Sequence, residues 1–479
     1  MKIKLIKALI IFLLCQGTFA QDYQSAIHKA QFLIKNHQEQ TNVPGVQVAL
    51  IIGDSLIWSE SFGYSNLAKK TPVTDSTKFR IASVSKSVTS VALGRLMDED
   101  KIDLDRDIRQ YLPDFPAKEY VITPRDLAAS TSGIRHYTDD DPLYNEVHYD
   151  DVNSSLEKFE NDKLLFKPRT EYYYSSYGWV LLSATMEKAA GQSFFKIMEE
   201  IWDEMGMSNT SFDYPNKSVE NLSKFYVHDK KEKRKIAPYD NRSYMYAGGG
   251  YLSTAKDLAQ MGSSLINRTF LSDSITNELF TSHKLSDGTE TYYGLGWETG
   301  QSRIGTPIVY HSGSMNSTRS HLLIYPEEKL TFVYLANTGD QIFFNEREAQ
   351  NIAELFLEEK NKEVNNEKDT VLIGTWDLRT SSLRNRKSKG KLDLTVENGI
   401  VKGAITFKRS RKTKEFPVLL TDKKKNHYHL IAVSPMFLDL YITVTNDSLN
   451  GEWLHDFNVK GLPEKDDYWK PREITGEKR

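Results

Sequence analysis

A chain of 479 residues with 39% hydrophobic and 27% charged side chains has ordinary globular composition and enough length for two or three domains. Its single cysteine, Cys15, sits in a leader-like segment, so the mature chain is expected to be cysteine-free, which excludes a disulfide framework, a thiolate metal site and cysteine nucleophilic catalysis together. The net charge of −3 is uneven: residues 371–479 carry 21 Lys and Arg against 14 Asp and Glu, whereas residues 21–370 carry 38 against 51. The basic stretches Arg384-Asn385-Arg386-Lys387 and Lys423-Lys424-Lys425 could touch an anionic surface, but they read first as solvated loops between strands, with no nucleic-acid partner implied.

In chain order, Met1 to Ala20 opens with Lys2, Lys4 and Lys7, continues with the apolar run Ala8 to Leu14 and ends in Thr18-Phe19-Ala20. That pattern predicts a secretory signal peptide cut before Gln21, and hence a periplasmic or secreted protein. The apolar run is too short to span a bilayer, and nothing later approaches about 18 apolar residues, so the mature chain is expected to have no membrane span. Ala26 to Gln40 reads as a helix with Ile27, Ala30, Leu33 and Ile34 on one face. Val46 to Ile52 and Leu56 to Phe62 flank Gly53-Asp54 as two strands of a hairpin. Val84, Val88, Val91 and Leu96 follow helical spacing, which places Ser83 where a helix begins.

Helical patches at Ala184 to Ala190, Phe194 to Met205 and Ala255 to Ile266 alternate with long loops rich in Tyr, Asp and Asn. His321 to Tyr325 and Leu330 to Ala336 flank Pro326-Glu327-Glu328-Lys329 as a second hairpin, and a last helix, Glu346 to Leu357, precedes a polar linker. Beyond it, Gly374 to Leu378, Lys391 to Val396, Ile400 to Phe407, Phe416 to Leu420, His427 to Val433 and Leu438 to Val444 are short strand-like runs, a separate all-β and barrel-like module. The expected layout is residues 1–20 leader, 21–360 an α/β domain in which distant segments build one sheet, 361–370 linker and 371–479 β-rich module.

Ser83-Val84-Ser85-Lys86 sets a serine and a lysine at i and i+3, which on a helix brings the amine beside the hydroxyl. A buried, neutral lysine can take the serine proton, and the helix N-terminus offers N–H groups to a developing oxyanion. The tetrapeptide pattern alone proves nothing, because Ser155, Ser193, Ser253 and Ser388 also begin a Ser-x-x-Lys. Context separates the first. Phe79-Arg80-Ile81-Ala82-Ser83-Val84-Ser85-Lys86, with Pro72-Val73-Thr74 before it and Lys101-Ile102-Asp103-Leu104-Asp105 and Tyr111-Leu112-Pro113 after it, resembles the nucleophile region of the serine β-lactamase-like family, which includes class C β-lactamases, D-alanyl-D-alanine carboxypeptidases, D-aminopeptidases and related esterases.

That resemblance extends over roughly Val43 to Leu357. Pro168 to Trp179 looks like the family's Tyr-x-Asn segment, which implies Tyr174 as acid/base tyrosine and puts Ser176 where asparagine is usual, weakening the grip on an acylamide side chain. His311-Ser312-Gly313 resembles the His-x-Gly form of the third motif; a histidine there, mostly neutral near pH 7.5, holds a substrate carboxylate less firmly than lysine. The residue after Gly313, Ser314, would supply the second oxyanion-hole N–H beside that of Ser83. Ser132-Gly133-Ile134-Arg135-His136-Tyr137 and the Tyr-Ser-Ser-Tyr-Gly form of the second motif are similar to the LACTB-like branch, while Ser130 replaces a histidine common in the family.

What the resemblance implies is an antiparallel sheet flanked by helices, with a mostly helical region inserted between the strands, and acylation and deacylation of Ser83. The expected reaction is hydrolysis of a small-molecule, peptide or ester substrate by a peptidase or esterase; a true β-lactamase, or an acylation-only sensor or binding protein on the same fold, are the alternatives. No cofactor is implied, and the other histidines, among them His136, His321 and His429, show no metal-ligand spacing.

Overall fold

The computed structural model describes residues 23–138, 147–215, 217–228, 234–238, 240–315, 317–339, 344–360, 371–381, 387–409, 412–435, 437–454 and 472–479. The expected leader, with Cys15, and the linker at 361–370 lie outside the described residues. The chain divides into two compact units: residues 43–340, and a second unit that joins the residues before them to the residues after them.

The first unit is built on a seven-stranded antiparallel sheet. Its strands are β1 (Gly45–Ile52), β2 (Ser55–Asn66), β3 (Thr71–Pro72), β4 (Glu298–Gln301), β5 (Pro307–Met315), β6 (Thr318–Tyr325) and β7 (Leu330–Ala336), in the order β3-β2-β1-β7-β6-β5-β4. The two hairpins read from the sequence are therefore neighbours, joined where β1 pairs with β7 from Val46 opposite Ala336 to Ile52 opposite Leu330. Antiparallel strands with one wet face alternate apolar and polar residues. These central strands do not: all of β7 is buried, so a continuous apolar run is what the position requires.

Everything between β3 and β4 is an insertion whose regular structure is mainly helical, with long loops between the helices. Its main helices are α1 (Val84–Asp98), α2 (Pro124–Ala128), α3 (Ser176–Ala190) and α4 (Ala255–Ile266). Helix α4 lies close against the sheet because Gly262 has no side chain: a Cβ there would come within 2.6 Å of Thr331 Cγ2. The Ala255 N–H at its start donates to Gln47 Oε1 of β1 at 2.6 Å.

Helix α1 departs from the one-sided pattern that its valines suggest. Twelve of its fifteen residues are buried, including Ser85, Ser87, Thr89 and Ser90, so it is the central post of the unit rather than a surface helix. Its small hydroxyls let neighbouring backbone approach and satisfy it: Ser87 Oγ donates to the Gly296 carbonyl at 2.7 Å, and Thr89 Oγ1 to that of Ala247 at 3.0 Å.

In the second unit, eight strands close into a barrel: β8 (Gly374–Ser381), β9 (Lys387–Glu397), β10 (Ile400–Arg409), β11 (Lys412–Lys424), β12 (His427–Val433), β13 (Phe437–Thr445), β14 (Ser448–Leu454) and β15 (Arg472–Lys478), with β15 pairing back onto β8. Trp376, Leu392, Leu394, Ile405, Val418, Leu430, Leu440 and Ile474 fill its interior. The helices Gln24–Thr41 and Glu346–Lys360 pack against each other and belong to this unit. His37 is wedged edge-on between Phe344 and Phe437, and burial lowers its pKa to about 4. Among the described residues, no helix is long and apolar enough to cross a membrane.

A buried ion pair pins the helix Glu346–Lys360 to the barrel. Arg347 Nε donates to Asp439 Oδ2 at 2.6 Å, Asp439 Oδ1 lies 2.7 Å from His429 Nε2, and His429 Nδ1 lies 2.6 Å from Thr421 Oγ1. Asp439 is fully buried. Its removal would leave the Arg347 guanidinium without its carboxylate, so Asp439→Ala is expected to cost about 3–5 kcal/mol of the stability of this unit, read as a shift of its chemical denaturation midpoint.

Candidate active site

The chain enters α1 through a short three-stranded sheet in which Phe79–Arg80 pairs with Tyr251–Ser253, itself paired with Ser211–Phe212. Thr318 Oγ1 and Ser320 Oγ of β6 donate to the carbonyls of Arg80 and Ile81 at 2.8 and 2.6 Å, fixing the last extended residues before the turn. Ala82 then adopts a left-handed conformation, φ 47°, which for a residue with a Cβ costs about 1–2 kcal/mol. That strain sits directly before Ser83, the N-cap residue of α1. Its hydroxyl makes no capping bond, which leaves it for other partners.

Lys86, one turn on, is completely buried. Its Nζ lies 3.3 Å from Ser83 Oγ, 3.0 Å from Ser176 Oγ and 2.6 Å from the Gly248 carbonyl. A neutral amine offers two N–H donors and one lone pair. Donation to Gly248 and Ser176 uses both hydrogens and leaves the lone pair toward the Ser83 hydroxyl. Burial holds the amine well below the usual lysine pKa, the direction that favours this neutral form.

Tyr174 closes the triangle. Its hydroxyl is hydrogen-bonded to Ser83, and its ring centroid lies 4.7 Å from Lys86 Nζ. Burial pushes its pKa well above 10 against the opposing pull of the Ser83 bond, and Glu298 adds to the rise, so the phenol keeps its proton. The loop that carries Tyr174 is nailed down at several points. Arg169, itself at φ 68°, donates Nε to the buried Asp126 of α2 at 2.6 Å, and its N–H donates to the Thr131 carbonyl at 2.8 Å. The Tyr173 N–H donates to the carbonyl of Ser130 at 2.9 Å, and Ser130 is left-handed at φ 58°. Ser175 then caps α3, accepting from the Gly178 N–H at 2.9 Å and donating to the Arg135 carbonyl at 2.7 Å.

The third segment lies on β5. Gly313 packs where no side chain fits: a Cβ would overlap both Ser320 Oγ and the Ile81 carbonyl. This contact lays β5 against the turn before Ser83 and brings the Ser314 backbone alongside. The Ser314 hydroxyl accepts from Arg319 Nη1 instead of entering the site. His311 is buried and uses both ring nitrogens: Nδ1 donates to the Ser312 carbonyl at 2.8 Å, and Nε2 accepts from the Tyr293 hydroxyl at 3.1 Å. Burial, with the neighbouring Lys86, lowers its pKa to about 3. The ring is a neutral strut, not a cation facing a ligand.

Ser83, Lys86, Tyr174 and Ser176 are thus joined by direct hydrogen bonds, with Gly313 and Ser314 beside them. From the sequence, the stretches around Tyr293 and Gly248 match the family but carry no site role; in the structure Tyr293 holds His311 and meets Tyr174 edge-on at 6.1 Å, and the Gly248 carbonyl takes the Lys86 amine. Tyr293 stands in a Tyr-Gly-Leu-Gly-Trp stretch, and the density of glycines beside an aromatic was the available signal. Gly248 belongs to a Gly-Gly-Gly run whose value lies in close backbone approach.

A serine at the start of a helix, hydrogen-bonded to a buried lysine and to a protonated tyrosine beside an antiparallel sheet, is the arrangement expected of a β-lactamase-type serine hydrolase. The β-lactamase family profile matches residues 31–356, and the chain belongs to that family. The mitochondrial serine β-lactamase-like protein LACTB of Homo sapiens is 27% identical, over 66% of this chain and 74% of its own. Penicillin-binding protein 4* of Bacillus subtilis is likewise 27% identical, over 64% and 71% respectively. The structure of the octameric penicillin-binding protein homologue from Pyrococcus abyssi superposes with a TM-score of 0.60 at 19% identity, covering 94% of this chain and 99% of that one. A share that large takes in the barrel as well as the sheet.

Gly313→Ala should show how tightly the third segment is held. Overpacking against Ile81 and Ser320 is expected to cost about 1–3 kcal/mol and to suppress covalent labelling of Ser83 well beyond the loss of folded protein, measured by melting and by intact mass after reaction with a fluorophosphonate.

Proposed function

We propose that the protein is an exported hydrolase that forms an acyl-enzyme on Ser83 and acts on ester or amide carbonyls as an esterase or peptidase. The observation that carries this reading is the coordination of Lys86 Nζ, which leaves one lone pair directed at Ser83 Oγ. In the reaction so read, Lys86 takes the Ser83 proton as Oγ bonds to the carbonyl carbon, and the N–H groups of Ser83 and Ser314 receive the oxyanion. The proton returns to the leaving group through the Tyr174 hydroxyl. Water then attacks the acyl carbon, gives its proton back along the same route, and Ser83 is released. The leader's basic start, short apolar run and small-residue end support export.

Charge supports neutral substrates over β-lactams. His311, where class C enzymes carry a lysine, is uncharged and occupied, and burial raises the pKa of Tyr172, Tyr174 and Tyr293, with Glu298 adding to the rise. A substrate carboxylate therefore meets no fixed cation at His311.

Ser83→Ala should abolish both labelling by a fluorophosphonate and ester turnover while leaving the melting temperature unchanged, and Tyr174→Phe should slow turnover by about 10²–10⁴-fold. An active Ser83→Ala protein would sink the assignment. One acyl equivalent without turnover would instead mark a sensor. With penicillin and a short neutral ester compared directly, the ester should show the higher kcat/KM; the reverse order would identify a β-lactamase.

The pH profile follows from the signs of the two shifts. Lys86 works as the neutral amine, so kcat/KM falls as pH drops through its lowered pKa, and Tyr174, raised above 10, imposes no loss on the alkaline side below that value. The rate should therefore reach its plateau at a lower pH than a lysine of ordinary pKa near 10.4 would allow, which the pH dependence of kcat/KM measures directly.

A further inference from the structure

His136 is half-buried at the end of the segment Ser132 to His136 and lies far in sequence from Ser83, Lys86 and Tyr174, yet it touches the frame of the site on two sides. Its Nδ1 accepts the backbone N–H of Ser176 at 3.0 Å. Its ring lies tilted at 38° against that of Tyr137, with centroids 3.8 Å apart, and meets Tyr174 at 5.8 Å and 62°. The first N–H groups of a helix have no partner inside the helix, and here, beside the Ser175 cap that serves Gly178, a histidine nitrogen serves the one on Ser176.

We infer that His136 is a positioning residue for the acyl-transfer site: by accepting the Ser176 N–H and bordering the Tyr174 ring, it fixes the spacing between the proton-carrying tyrosine and the serine that orients Lys86. The inference rests on the acid/base reading of Tyr174 given above. Its chemistry is specific. The accepting Nδ1 carries no proton, so the ring is held as the neutral tautomer protonated on Nε2. The same two-residue segment binds the next residue back, since the Ser175 hydroxyl donates to the Arg135 carbonyl. Residues 174 to 176 therefore ride as one piece on residues 135 and 136. Ser176 in turn passes its position to Lys86 Nζ through the 3.0 Å bond. A displacement of either partner by a fraction of an ångström would misalign the Ser83, Lys86 and Tyr174 contacts without touching any of them, and such misplacements fall on the rate of the chemical step rather than on substrate binding.

The test uses the full mature chain and turnover of p-nitrophenyl butyrate. His136→Phe keeps a flat ring against Tyr137 and Tyr174 but removes the acceptor; kcat is expected to fall by about tenfold or more, with KM within about twofold. His136→Asn, whose side-chain oxygen can stand near the position of Nδ1, should recover most of that loss. In a Tyr174→Phe background, His136→Phe should lower the rate by less than about twofold further, because residues that act as a unit are not additive. A His136→Phe enzyme with unchanged kcat overturns the inference, as does a His136→Asn enzyme as slow as His136→Phe, or a full multiplicative loss in the double variant. If His136→Phe does not fold, His136→Asn decides alone: near-normal kcat supports the role and a slow, folded enzyme refutes it. An active Tyr174→Phe single variant would instead bring down the underlying acid/base reading.

Discussion

A fully buried lysine amine is the constraint from which the rest of this unit follows. Lys86 can be tolerated in the core only as a neutral group with its hydrogens satisfied, and both acceptors come from distant parts of the chain: the Gly248 carbonyl and the Ser176 hydroxyl. Burying that amine requires α1 to be enclosed on all sides, which explains why small hydroxyl residues line a helix whose valines alone would suggest a surface element. It also requires Gly313 on the sheet side, because any side chain there would push β5 away from the turn that presents Ser83. The strained Ala82 is a local cost of the same enclosure, offset by the hydrogen bonds that β6 makes to the two preceding carbonyls.

Much of this was legible before any coordinates. The two hairpins, the helix after Ser83, and the change of texture beyond residue 370 all follow from period-2 or period-3.6 patterning and turn residues. The serine and lysine were legible for a stronger reason, since i and i+3 on a helix is a geometric statement as well as a motif. What escaped was decided by burial and by distant neighbours. The apolar patch at Ala184 to Ala190 marked only the end of α3, whose first turn is made of Ser176, Tyr177 and Gly178 and is set by the Ser175 cap. Strands β14 and β15 carry Asn450, Glu452, Glu473 and Glu477 on their wet face and only a thin apolar row inward, too weak a pattern to separate from loop. His311 was legible as a position but not as a strut, because the partner that occupies its Nε2 lies 18 residues away, on Tyr293.

The site as built differs in electrostatic character from one designed around a lysine in the third segment. Two protonated phenols, Tyr174 and Tyr293, a neutral imidazole and a neutral amine share a small volume. In the reaction proposed, moving the Ser83 proton to Lys86 creates a cation and an oxyanion where neither stood, and fixed N–H dipoles rather than solvent have to receive them.

The barrel has a different consequence. Every strand in it has two neighbours, and β15 returns to β8, so the described strands expose no unpaired row of N–H and C=O groups. It cannot capture a strand from another chain or extend itself into a larger sheet. Any molecule that recognises this unit has to read its side chains and loops, a surface that can change by substitution while the backbone beneath it stays closed.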